Sequence, residues 1–165
     1  MPANIQSPVV TELDEIDPDW IDRNGHMSAV YYNFAFRPPL RDLFDHIGYD
    51  DDYRRRTGHG IFMLEWRVQY VREVLQGMAL RFEGRLLDMS DKVLHYCIEM
   101  YAGPEQYLAS VAEAVEIEVS LETRKPVAFE AEQVRHLKAV LAEHRKLPSA
   151  HNVSRALGIR RREDS

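Results

Sequence analysis

The sequence predicts an α+β domain in which one helix packs against a curved, five-stranded antiparallel sheet. Three observations predict it: a 3.6-residue apolar period before residue 48, four later segments with a period of two, and a closing amphipathic segment past Pro126. The order is therefore strand, helix, four strands, helix, within one domain spanning residues 1–165, with a core at about 8–122, a C-terminal helix at about 128–146 and a tail at 148–165.

The first strand is the short "SPVVTELDEI", bounded by Pro8 and Pro18. "MSAVYYNFAFRPPLRDLFDHIG" then reads as helix, with Val30, Tyr31, Phe34, Leu40, Leu43, Phe44 and Ile47 at spacings of three and four and Gly48 at its end. Pro38 and Pro39 interrupt it, which predicts a kink or a restart at one of the prolines. "DDDYRRRTGHG" reads as a loop. In "IFMLEWRVQYV", Phe62, Leu64, Trp66, Val68 and Tyr70 alternate with Met63, Glu65, Arg67 and Gln69. Leu80, Phe82 and Leu86 alternate with Arg81, Glu83 and Arg85, and Leu94, Tyr96, Ile98 and Met100 with His95, Cys97 and Glu99. The last strand places Tyr107, Val111, Val115, Ile117, Val119 and Leu121 on one face. Short turns join these strands into an antiparallel meander. "AFEAEQVRHLKAVLAEHRKL" closes the fold as an amphipathic helix carrying Val134, Leu137, Val140, Leu141 and His144 on one side. Long edge strands favour pairing between copies, so a homodimer or homotetramer is expected.

Composition narrows the function. A net charge of −6 argues against general nucleic-acid binding, and no apolar run reaches membrane-spanning length. The start "MPANIQSPVV" lacks the features of a signal peptide. The single cysteine, Cys97, excludes an intramolecular disulfide and reads as a small buried hydrophobe, so a reducing, cytoplasmic setting is expected. The basic runs Arg54–Arg56 and Arg160–Arg162 read either as solvated segments or as sites for a phosphorylated ligand. The chain has no glycine-rich phosphate loop, no G-x-S-x-G, no H-E-x-x-H and no C-x-x-C, and its seven histidines lack ligand spacing, so neither a metal nor a cofactor is expected.

The chemistry concentrates in "DRNGHMSAVYY". Asp22 stands a few residues before the helix, Gly25 lets the backbone approach a ligand, and N–H groups near Met27 and Ser28 can hold developing negative charge. The same residues also suit a plain turn and helix cap formed by Asp22 and Asn24.

This segment resembles the D-x-x-G-H-[MV]-N-x-x-x-Y motif of hotdog-fold acyl-CoA thioesterases of the 4-hydroxybenzoyl-CoA type, with Asp22, Gly25, His26, Met27 and Tyr32 on its positions. "PDWIDRNGHM", "FDHIG", "YRRRTG" and "EWRVQYVREVLQG" are similar to the branch that includes betainyl-CoA thioesterases, over roughly residues 8–150. The resemblance implies acyl-CoA hydrolysis at a subunit interface, with Asp22 as nucleophile or general base and helix-start N–H groups polarising the thioester carbonyl. Coenzyme A then enters as part of the substrate. The motif's usual Asn is Ser28 here, and Met78 follows Gly77 where Asp is usual. Asn24, His26 and Glu65 are further catalytic candidates. Glu65 reads either as a rim glutamate or as a second carboxylate near the thioester or a cationic acyl group. Tyr32, Ser28, Trp66, Arg67, Arg72 and Arg55 are candidates for binding substrate, the arginines through the coenzyme A phosphates. The other readings are a non-catalytic acyl-CoA-binding hotdog and a hotdog hydratase or dehydratase.

Overall fold

Alternating side chains build a sheet with two unlike faces. In the computed structural model, which describes residues 5–153 and 157–159, strands β1 (Val9–Leu13), β2 (His59–Tyr70), β3 (Leu80–Met89), β4 (Val93–Ala102) and β5 (Tyr107–Ser120) lie antiparallel in the order β1-β3-β4-β5-β2. Helices α1 (Ala29–Ala35) and α2 (Arg37–His46) cross one face, α3 (Asp51–Thr57) leads into β2, and α4 (Ala131–His144) follows β5. This is the hotdog arrangement, a sheet around a central helix.

The central helix is broken as the prolines require. Pro38 and Pro39 have no N–H to give to the carbonyls of Phe34 and Ala35, so the ladder stops and α2 begins with both prolines in its first turn. The restart is at Arg37, one residue before the expected prolines, because Phe36 keeps near-helical angles (φ −77°, ψ −11°) and accepts from the Leu40 N–H at 3.0 Å. Phe36 anchors the break in the core, edge-on to Phe82 at 5.8 Å and to Trp66 at 6.0 Å. Gly84 on β3 packs beneath Leu43 of α2, where a Cβ would meet that side chain at an ordinary contact distance of 3.5 Å.

Four expectations fail, each for a physical reason. The meander holds only for β3-β4-β5, because β2 pairs with β5 on the far side of the sheet rather than with β3. The segment read as a loop forms α3, because Asp50 caps the Tyr53 N–H at 2.8 Å, Gly58 ends the helix at φ 68° and Tyr53 is buried. In β2 a bulge between Met63 and Glu65 reverses the alternation, so Met63 pairs with Glu116 on the helix face while Phe62 points outward with Ile117. On β5 the valine face is the outer one. Ala112, Ala114, Glu116 and Glu118 face the helices instead, in register with Ile98 and Tyr96 of β4. The glutamates are tolerated there because Tyr96 Oη donates to Glu116 at 2.5 Å and Tyr53 Oη to Glu118 at 2.6 Å.

The tail, which carries little apolar pattern, crosses the outer face through polar contacts. Arg85 donates to the Pro148 carbonyl at 2.8 Å and to Glu99 at 2.6 Å, His151 contacts Glu99 at 2.6 Å, and Arg67 donates to the Asn152 carbonyl at 3.0 Å. Cys97 is fully buried on this face, and burial pushes its thiol up to about 12. One sheet edge is closed by α4, where His144 Nδ1 accepts from the Leu86 N–H at 2.9 Å and Nε2 donates to Gln6 O at 2.9 Å. The β2 edge is bare, with Phe62, Met63 and Leu64 exposed by 41%, 46% and 55%.

Candidate functional site

The turn before α1 is held by its own backbone. Asp22 N–H donates to the His26 carbonyl at 3.0 Å and Gly25 N–H to the Asp22 carbonyl at 2.9 Å. Gly25 sits at φ 82°, a conformation that favours glycine, and the space above it is open. The half-buried Asp22 carboxylate accepts from the Asn24 N–H at 2.7 Å and from Asn24 Nδ2 at 3.3 Å. Asn24 therefore fixes the carboxylate, as the turn reading of Asp22 and Asn24 expects.

The free donors are not the expected ones. Met27 N–H donates to Val74 O at 2.8 Å and Ser28 N–H to Trp20 O at 2.9 Å, so neither is available. The N–H groups of Ala29 and Val30, in the first turn of α1, find no acceptor among the described residues. Met27 is 1% exposed and packs in the core. Ser28 is the N-cap in extended geometry, but its hydroxyl makes no capping bond.

A cavity of about 240 Å³ opens beside this helix start, walled by His26, Ala29, Tyr32, Tyr70, Arg72 and Glu73 among others. His26 Nδ1 lies 3.2 Å from the Met27 carbonyl, which only accepts, so Nδ1 carries a proton and Nε2 is the ring nitrogen left without a partner among the described residues. Tyr32 is 3% exposed and meets Tyr70 edge-on at 4.9 Å. Burial, then the neighbouring Tyr107 and Tyr70, push the Tyr32 hydroxyl up to about 12, so it stays neutral. The Arg72 guanidinium rests over the Tyr107 ring at 4.0 Å. The Glu73 carboxylate has no hydrogen-bond or ion-pair partner among the described residues.

A larger cavity of about 670 Å³ lies along α1, α2 and β2, lined by Trp20, Phe34, Phe44, Arg37, Arg41 and Glu116 among others. Burial raises the Glu116 carboxyl above the ordinary range, opposed by the Tyr96 hydrogen bond. Trp66 lines a third cavity of about 270 Å³ and donates to Asn33 Oδ1 at 2.9 Å.

The remaining candidates fall away from the helix start. Glu65 is exposed on the outer face of β2, paired with Val115 and turned from all three cavities, because the bulge sets Trp66 rather than Glu65 on the helix side. Arg67 is on the same outer face, holding Asn152 O and Glu113, the latter at 3.7 Å. Arg55 pairs with Asp52, Arg54 with Asp51 at 3.7 Å, and Arg56 with Glu130, so the basic run of α3 is matched by acidic neighbours. Arg160–Arg162 lie outside the described residues. Glu116 lies in no motif, and Glu73 lies in "EWRVQYVREVLQG" without standing out there as a site residue; their place in the folded chain brings them to cavities. Among the described residues, no cluster of three or more His, Cys, Asp or Glu is arranged to hold a metal ion, and no helix is long and apolar enough to cross a membrane.

Known proteins share this sequence and architecture. Residues 16–139 match the model of the thioesterase-like superfamily. A betainyl-CoA thioesterase of Pseudomonas aeruginosa is 30% identical over 142 residues, covering 86% of this chain and 89% of the relative. An L-carnitine dehydrogenase/betainyl-CoA thioesterase of Ruegeria pomeroyi is 34% identical over 126 residues, which are 76% of this chain and 25% of that protein. A Staphylococcus aureus protein solved in complex with CoA superposes with a TM-score of 0.76 at 21% identity, covering 99% of this chain and 100% of that one. The DHNA-CoA thioesterase of Staphylococcus aureus superposes with a TM-score of 0.72 at 16% identity, over 83% and 93% of the two chains.

Proposed function

This chain belongs to the thioesterase-like superfamily and is a thioester hydrolase, and on that premise we propose that it cleaves acyl-CoA at the turn that opens α1. Asp22 is the reacting carboxylate. As nucleophile it attacks the thioester carbonyl, expels the CoA thiolate and leaves a mixed anhydride that water then opens. As general base it takes a proton from a water that attacks the same carbon. Either way one water is consumed, and a carboxylic acid and the CoA thiol are formed. The carbonyl oxygen, as it becomes an oxyanion, is held by the Ala29 and Val30 N–H groups, which need no rearrangement to receive it. Asn24 orients the carboxylate, and His26 offers Nε2 toward the ligand.

The working unit in this reading is a homodimer, or a homotetramer built from two dimers. The bare β2 edge and the exposed side chains of Val30 and Phe34 on α1 supply the apolar surface for it. The Pseudomonas aeruginosa relative points to betainyl-CoA as the first substrate to try. A cytoplasmic setting, with no nucleic-acid partner, suits the acidic balance and the single thiol.

The observation that supports the reading is a carboxylate held in the turn just before α1, whose first two N–H groups find no acceptor among the described residues. Thiol release from a panel of acyl-CoA thioesters tests it. We expect turnover of at least one, and a drop of about 100-fold or more in kcat for Asp22→Asn. Unchanged turnover in that variant refutes the role of Asp22. Binding of acyl-CoA with no thiol release by the unaltered chain makes it a binding module instead.

A further inference from the structure

We propose that Glu73 selects the acyl group, giving preference to one with a fixed positive charge seated between the carboxylate and the Tyr32 and Tyr70 rings. The inference rests on the reading above and adds a residue to it.

The position is the first argument. Glu73 and Ala29 line the same cavity, so a carbonyl whose oxygen reaches the Ala29 N–H places its acyl substituent beside the carboxylate. Size is the second. At about 240 Å³ the cavity is smaller than the roughly 300–1,000 Å³ that drug-sized ligands occupy, so it suits a short branched acyl group rather than a long chain. Chemistry is the third. Tyr32 and Tyr70 both line the cavity, where a tyrosine ring face attracts a methylated ammonium, and Tyr32 remains a neutral phenol. Glu73 contributes an exposed carboxylate that lines the cavity and is not tied up by any partner among the described residues. The other charged wall, Arg72, is already stacked on Tyr107.

Two other carboxylates are excluded by position. Glu65 is on the outer face of β2. Glu116 lines the larger cavity and not the one that holds Ala29, and its carboxylate is already held by Tyr96.

The test uses a pair of thioesters of equal shape, betainyl-CoA and 3,3-dimethylbutanoyl-CoA, in which a quaternary carbon replaces the quaternary nitrogen. The unaltered protein is expected to favour the cationic member in kcat/KM by about tenfold or more. In Glu73→Gln that preference collapses toward unity, with the loss carried by the cationic member, and Glu73→Asp retains part of it. A preference that persists in Glu73→Gln, or none in the unaltered protein, overturns the proposal. The corresponding thioethers, which cannot be hydrolysed, give the same ratio from dissociation constants measured by calorimetry. The role of Glu73 is therefore read even if Asp22→Asn hydrolyses at the unaltered rate or no thioester is cleaved.

Discussion

The broken central helix runs beside two cavities of opposite character. At the start of α1 the space is small, about 240 Å³, and its wall carries the exposed Glu73 carboxylate, His26 and the Ala29 N–H, which finds no acceptor among the described residues. Across the break between α1 and α2 the space is larger, about 670 Å³, and its buried carboxylate, Glu116, is held by Tyr96. Volume and chemistry therefore separate. Solvated polar groups keep their hydrogen-bonding capacity for a ligand at little cost to stability, whereas a buried one must be matched within the fold.

Substitutions beside the small cavity and in the buried interior should produce crossed effects. The largest is expected at Asp22→Asn, where turnover falls about 100-fold or more while the melting temperature barely moves, because Asn24 still finds an acceptor. Next is His144→Ala at the closed sheet edge, which leaves the Leu86 N–H and the Gln6 carbonyl without partners and should cost about 2–3 kcal/mol in urea unfolding. Tyr96→Phe should follow, losing about 1–2 kcal/mol by removing the donor to Glu116, with kcat little changed. Gly25→Ala meets open space but must hold φ near 82°, so a cost of about 1 kcal/mol and a modest loss of kcat are expected. A Tyr96→Phe variant that loses turnover while keeping its stability would erase the distinction between the two cavities.

The closed edge also predicts a pH dependence. Burial lowers the pKa of His144, and burial with the nearby His136 lowers that of His46. In the unfolded chain both imidazoles take up a proton near pH 6.5, whereas the folded chain resists it until lower pH. Their contribution to stability is thus present above about pH 6.5 and is lost as pH falls through the folded values. Unfolding free energy should drop between pH 7.5 and 5.5, and the drop should be smaller in His144→Ala. An equal drop in both would show that His144 does not carry it.

Much of this was readable from the sequence because one-sided burial leaves a period. The meander of β3 and β4 and the amphipathic α4 follow that period directly. The pattern misled where a local device overrode it. A single bulge reversed part of β2, and tyrosine hydroxyls let Glu116 and Glu118 occupy an interior face that no hydrophobic count would assign to them. At the site, the Asp22–Gly25–His26 turn was legible as a motif. Which N–H groups remain free was not, since that depends on where the distant Val74 carbonyl and the Trp20 carbonyl lie after folding. Glu73 gave no signal because a loop glutamate resembles any solvated one until the cavity forms around it.

The claim that chemistry occurs at the start of α1 is tested most directly by a crystal structure with an unreactive acyl-CoA thioether. The account predicts the atom in place of the carbonyl carbon within attacking range of the Asp22 carboxylate, beside the Ala29 and Val30 N–H groups, with the acyl group against Tyr32 and Tyr70. An acyl group seated in the larger cavity beside Phe44 and Glu116, with Asp22 of either protomer facing water, would contradict it.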